Sequence, residues 1–196
     1  MKKLILTITA VALLVVGSAK FTSANAATVL SNISTFSKIE VRGNVELVVA
    51  TGDKNKVELN NSYYAENAMV QAENGVLRIS SYNVTKLVVY VTAADLHAIT
   101  AYDNASVRSD KRLSLIDFEV TLNNKATATL TLDNFVANVT VNDQAKATLT
   151  GNVTEYSLNY SQSSVVNRIG LVAENSTETL AVPFKAAAKQ VSEITE

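Results

Sequence analysis

The chain has no cysteine and no tryptophan, one proline and one histidine. Its six glycines in 196 residues are scattered, not clustered. Without cysteine there are no disulfides, no thiol chemistry and no thiolate metal site, so the fold rests on packing and backbone ladders alone. The lipobox cysteine that would tether an exported bacterial protein to lipid is missing with the rest. Phosphate-cradling loops and the nucleophile elbow need glycine clusters, so neither is encoded. Collagen-like and linker-like compositions are excluded for the same reason. Charge of either sign is also sparse: 17 basic against 18 acidic side chains give −1 overall. That balance excludes the basic footprint of an ordinary nucleic-acid-binding protein.

One long apolar run exists, and it lies at the N-terminus. Met1-Lys2-Lys3 opens the chain, residues 4–17 are apolar, and Ala24-Asn25-Ala26 follows. A basic start, an apolar stretch too short for a bilayer and a small-residue exit predict a signal peptide over 1–26, cut after Ala26. Removing Lys2, Lys3 and Lys20 leaves 14 of the 17 basic side chains against 18 acidic ones, a net −4 for residues 27–196. The expectation is an exported protein, in the periplasm, on the outer surface or secreted, with no transmembrane segment in the mature chain.

From Phe36 onward the hydrophobic pattern alternates with period two, the signature of strands. Strands are predicted at 36–41, 45–49, 56–59, 76–79 and 87–91, with turns at Arg42-Gly43-Asn44, Thr51-Gly52-Asp53 and Glu73-Asn74-Gly75. The run 87–91 is apolar enough to be buried on both faces. Residues 61–69 read equally as a helical turn or a loop. Residues 185–191 have helix propensity but too little length to stand alone, and 185–196 is expected to cap one end of the fold or fray.

Residues 99–168 repeat. Val120-x-Leu122, Val139-x-Val141 and Leu158-x-Tyr160 follow one another at 19-residue intervals. Asn124, Asp143 and Gln162 come next in each copy, then Ala126, Ala145 and Ser164, then Ala128, Ala147 and Val166. Ile99-x-Ala101, Asp103, Ala105 and Val107 form a looser first copy with two extra residues after it. A unit of this length cannot bury its apolar face alone, so copies stack around a shared core. Small residues recur where inward corners leave little room, and the Asp/Asn column fits turn positions. The expected fold is all-β: a single-stranded β-solenoid, or β-helix, of ~19-residue repeats over 27–184, with less regular N-terminal strands at one end. A sandwich or barrel of hairpins fits the strand spacing without requiring matched columns.

These residues resemble a known family. Phe36-Ser-Lys-Ile-Glu-Val-Arg-Gly-Asn-Val-Glu-Leu, Asn74-Gly-Val-Leu-Arg-Ile and the stretch 87–107 look like the putative auto-transporter adhesin, head GIN domain family of bacterial exported proteins. The resemblance covers about 36–168. It implies a β-helical, exported domain and says little about activity. Where the family commonly has a corner glycine, this chain has Asn104, Lys125 and Gln144, and the corner proline expected near Ala94 is missing.

The search for chemistry yields little. His97 is the only histidine, and no second one completes a common metal or acid–base site. Asp103, Asn124 and Asp143 line up as oxygen donors, but the glycine-rich calcium nonapeptide is absent, and a turn ladder is the simpler reading. A polysaccharide lyase needs clustered carboxylates and a base, whereas Arg42, Arg78, Arg108, Arg112 and Arg168 are scattered. No catalytic residue, metal or cofactor is therefore assigned. The alternating Thr127, Thr129, Thr131, Thr148 and Thr150 predict a flat polar outer face. Tyrosines can stack on sugar rings or anchor interfaces, and Tyr102 and Tyr160 flank repeat corners as the candidate ligand-binding residues. The functional expectation is a non-enzymatic, adhesin-like envelope or surface protein that binds a surface glycan or an envelope protein through the flank of the coil. The alternatives are a self-associating scaffold, a homo-oligomer through end-to-end or edge contacts, and a carbohydrate-active β-helix enzyme.

Overall fold

The computed structural model describes residues 28–30, 33–59 and 68–181. The signal-peptide reading, the tail 185–196 and most of the undecided segment 61–69 lie outside the described residues.

Within them the chain is all-β: thirteen strands and no helix. β1 is Thr28–Val29, β2 Phe36–Gly43, β3 Val45–Thr51, β4 Lys56–Leu59, β5 Ala68–Glu73 and β6 Gly75–Ser81. β7 is Leu87–Ala93, β8 Ala98–Ala101, β9 Ser106–Ser109 and β10 Leu113–Leu122. The long strands β11 (Thr127–Val141), β12 (Lys146–Ser161) and β13 (Val165–Ala181) follow. All belong to one hydrogen-bonded sheet whose path is open, and it curls so that its inward side chains share a single core.

Pairing is mostly parallel, unlike the antiparallel hairpins of a sandwich. β10, β11 and β12 pair at an offset of 19 residues, which sets Val120, Val139 and Leu158 side by side and Leu122, Val141 and Tyr160 beside them. β8 joins β10 at an offset of 21, the two extra residues of the first copy. Inward positions along these strands and at the corners just before them are closed to solvent: Ala126, Leu132, Ala137, Val141, Ala145 and Leu149 are each 0% exposed. Each buried Leu or Val is worth about 1.5–3 kcal/mol, and this repeated face is what holds a chain without disulfides together.

The corners between strands have a backbone reason for their residues. Asp103, Asn124 and Asp143 all lie in the left-handed region, at φ 60°, 60° and 53°. Asp and Asn tolerate that region better than other side-chain-bearing residues. The positive φ thus falls one residue before the position where the family has glycine, so Asn104, Lys125 and Gln144 are accommodated. Gly151 (φ 107°) is a different case: a Cβ there would lie 2.0 Å from the Leu132 carbonyl oxygen, so two neighbouring strands touch at backbone distance.

The N-terminal strands use the same sheet without the 19-residue rule. β2 and β3 pair with β8 and β9 across 60 residues of sequence. On their other side β2 pairs with β6, and β3 with β7. Three antiparallel strands then finish the edges. β5 covers β6 through a hairpin at Asn74-Gly75, both at positive φ, as a two-residue turn with the right twist requires. β4 covers β7, and β1 pairs with β4.

Candidate functional site

The corner after β8 gathers interacting polar and aromatic side chains. Arg42 at the end of β2 lays its guanidinium over the Tyr102 ring, 3.9 Å from the centroid. The geometry follows from pairing: the Tyr102 N–H donates to the Val41 carbonyl, so the two side chains emerge at adjacent ends of neighbouring strands. Glu40 holds the guanidinium from the other side, accepting from Arg42 Nε at 2.7 Å, with Arg42 Nη2 at 2.6 Å. That hydrogen bond pushes the Arg42 pKa up and keeps it charged over the ring.

Tyr82 follows β6 and is 71% exposed. Its hydroxyl donates to Asp103 Oδ2 at 3.1 Å, and this bond is the main reason its pKa is raised. Tyr82, Arg42, Tyr102 and Asp103 therefore form one cluster of two rings, a guanidinium and a carboxylate, with Tyr82 and Arg42 exposed and Tyr102 and Asp103 half-buried.

Below it runs a ladder of corner side chains. Asn124 Oδ1 accepts from the Asp103 N–H at 3.3 Å, and Asp143 Oδ2 accepts from the Asn124 N–H at 2.9 Å. Asn142 Nδ2 donates to Asn123 Oδ1 at 2.9 Å one position away. The aligned oxygens of Asp103, Asn124 and Asp143 are thus each engaged, two with the backbone of the preceding corner and one with Tyr82. Among the described residues no three His, Cys, Asp or Glu side chains converge as a metal site would require.

The two tyrosines singled out from sequence are not brought together. Tyr102 stands in a corner column that continues through Asn123, Asn142 and Ser161, whereas Tyr160 stands in the inward column of Leu122 and Val141. Three strand steps separate them, roughly 14 Å at the usual spacing. Tyr160 is partly buried and packs against the core. Tyr63 and Tyr64 lie outside the described residues. Tyr156 is buried at 3% exposure, and its hydroxyl has no hydrogen-bond partner among the described residues. Arg42 and Tyr82 are the members that sequence reasoning did not single out, because the 19-residue columns do not extend to β2 or β6.

Other features are more dispersed. His97 is half-exposed, with Nδ1 3.5 Å from Asp95 Oδ1, and lines a cleft of about 360 Å³ with Lys38, Asp117, Glu119 and Asn138. The predicted threonine face is present: Thr127, Thr129 and Thr131 line a second cleft of about 380 Å³ with Ser106, Arg108 and Glu46. Arg108 Nε donates to Glu46 Oε1 there at 3.0 Å, and Thr150 Oγ1 lies 3.1 Å from Thr131 Oγ1.

Known proteins supply a context for this geometry. A putative adhesin of Parabacteroides merdae has a similar structure, with a TM-score of 0.63 at 12% identity over 79% of this chain and 77% of that one. A putative adhesin of Parabacteroides distasonis gives 0.57 at 18% identity, with the same two coverages. A putative lipid binding protein of P. distasonis gives 0.59 at 12% identity over 81% of this chain and 79% of that one. At such identities the likeness is one of fold. No curated protein matches the sequence. The sequence profile described as putative auto-transporter adhesin, head GIN domain, matches residues 35–181. With three quarters of its length under that profile and the fold of solved adhesin-named structures, the chain belongs to the head GIN domain family.

Proposed function

We propose that this chain is an exported, non-enzymatic, adhesin-like protein of the cell envelope or surface, built as a short β-solenoid, that binds a sugar at the Tyr82–Arg42–Tyr102 corner. The solenoid reading is supported by parallel pairing at one constant offset through β10, β11 and β12. The binding reading rests on one observation, the exposed Tyr82 and the Arg42-stacked Tyr102 meeting Asp103 at one corner. Aromatic faces take the apolar faces of sugar rings, while a guanidinium and a carboxylate take their hydroxyls. The adhesin names of the family and of two similar structures agree with a binding role, and none of these names is that of an enzyme.

The test is a glycan array probed with residues 27–196, alongside Tyr82→Ala, Tyr102→Ala and Tyr160→Ala and a parallel arm of lipid vesicles. Reproducible glycan signals lost in Tyr82→Ala and Tyr102→Ala but kept in Tyr160→Ala support the corner. Signals lost only in Tyr160→Ala move the site to the other tyrosine. Binding to vesicles alone, or to neither, overturns the sugar reading. A second reading, a self-associating envelope scaffold, is favoured by the long edge of β13, which among the described residues pairs with β12 alone.

A further inference from the structure

Among the described residues three strands have a ladder on one side only: β1, β5 and β13. They are not alike. β1 has two residues and β5 six, whereas β13 has seventeen. Short edges offer little to a foreign strand, and long ones are usually blunted by lysine or proline. β13 contains neither. It also carries apolar side chains in the open: Val165 is 54% exposed, Ile169 95%, Val172 65% and Leu180 46%. These are four of the ten large hydrophobics exposed among the described residues, so the longest edge is also the most apolar one.

The chemistry that fits this edge is that of β13 itself. The strand runs from Val165 to Ala181 and is centred on Ala173. Set antiparallel to a second β13 with the ends matched, Val165 falls opposite Ala181 and Val166 opposite Leu180, at both ends of the pair. In the same register Arg168 falls opposite Glu178. Within one chain these two already form an ion pair, which lies where the inward columns of the sheet stop. A two-fold axis through Ala173 reverses that pair in the second copy, so each guanidinium meets the other copy's carboxylate and the four charges alternate in sign. Glu174, the other charged residue of the strand, falls opposite Val172, and no like charges stand directly opposite each other. Val166, Glu178 and Leu180 pair with Ala147, Leu158 and Tyr160 of β12, residues of the inward columns. Directly opposed residues of an antiparallel pair share a face, so the matched pairs continue those columns into the second copy. A head-to-tail contact is less suited, because β13 would then have to meet one of the short edges β1 or β5.

We infer that two copies of this chain join through their β13 edges, antiparallel about Ala173, as a closed two-fold dimer with Arg168 of each copy on Glu178 of the other. Such a contact uses the same patch on both copies and ends at two. The inference rests on the self-association reading and restricts it to a pair; it does not depend on the sugar-binding reading.

Light scattering of residues 27–196 over a concentration series is the first test, and the mass is expected to level off at two chains. Growth beyond two overturns the dimer and leaves the scaffold reading standing; a single chain throughout overturns both. The second test fixes the contact. Arg168→Glu and Glu178→Arg are each expected to weaken the dimer at least about tenfold, since four like charges then meet. An equimolar mixture of the two variants is expected to regain wild-type strength, because each chain meets its opposite. A mixture as weak as its components overturns the Arg168–Glu178 contact. The third test stands even where the charge variants fold poorly, and the absence of native cysteine allows it. Val166→Cys and Leu180→Cys, oxidised together, are expected to give a disulfide-linked pair that neither gives alone. Linkage of either variant with itself to the same yield, or none in the mixture, overturns the antiparallel register.

Discussion

The two ends of this sheet are built on opposite principles. At the N-terminal end the parallel ladder stops at β6 and β7, and each is finished by an antiparallel partner, β5 on one and β4 on the other. β4 brings core residues with it: Val57 and Leu59 are 0% exposed, so that end is closed by apolar packing as well as hydrogen bonds. At the C-terminal end β13, 17 residues beside the 16 of β12, extends the sheet but changes its side chains. The inward columns give way to Ser176, Glu178 and Arg168, and most of the strand is exposed. One end is finished by more sheet; the other, among the described residues, carries a part-exposed ion pair where the inward columns stop. A curled open sheet needs both its edges and its core ends managed, and these are separate problems with separate solutions.

The largest effect expected from this contrast is in packing. Leu59→Ala removes a fully buried side chain at the sealed end and should cost about 2–5 kcal/mol. Leu180→Ala, at a site 46% exposed on β13, should cost about 1 kcal/mol or less. Urea unfolding of both variants measures the difference. Equal costs would break the comparison and show Leu180 to be as well packed in solution as Leu59.

A smaller effect lies just beneath the open end. Burial pushes the Tyr156 hydroxyl up to about 12, against a weaker opposing pull from the Arg168 charge. The folded pKa is therefore above the ordinary value of about 10, and the folded state favours the neutral phenol. This stability is present below pH 10 and is lost as pH rises from about 10 to 12, by about 2 kcal/mol. Unfolding by denaturant at pH 8 and at pH 11.5 should show the loss in the wild type but not in Tyr156→Phe. At neutral pH Tyr156→Phe should be neutral or stabilising by about 0.5 kcal/mol, because the buried hydroxyl it removes has no hydrogen-bond partner among the described residues. An alkaline loss that persists in Tyr156→Phe would place its origin elsewhere.

Much of the regular middle was legible in the sequence, because there each residue's place depends on a neighbour at constant offset. The matched columns Val120, Val139 and Leu158 became adjacent, and Asn74-Gly75 specified its hairpin by backbone preference alone. The N-terminal pairing was not legible, since β2 and β3 meet β8 and β9 across 60 residues with no shared motif to mark it. The Arg42–Tyr102 contact was hidden with it. Arg168 and Glu178 sit on one strand in sequence and meet only because that strand curls, which no periodicity reports. Tyr160 is the instructive case. Its column, shared with Leu122 and Val141, already pointed inward, so its partial burial could have been read from the same alignment that drew attention to it.

The smallest effect sharpens the comparison at the level of single corners. Asn124 holds a left-handed backbone at φ 60° and accepts the Asp103 N–H through its side chain. Alanine there loses the hydrogen bond and meets the Cβ clash of the left-handed region, whereas glycine loses the bond alone. Asn124→Ala should therefore be less stable than Asn124→Gly by about 1 kcal/mol. At the open end the corresponding corner residue, Gln162, is exposed and does not have positive φ. Gln162→Ala and Gln162→Gly should therefore reverse that order, with glycine slightly the worse for its greater freedom when unfolded. Thermal melts of the four variants measure both differences. If the order at Gln162 matches that at Asn124, the left-handed ladder runs to the last corner, and the two ends differ in their strands alone.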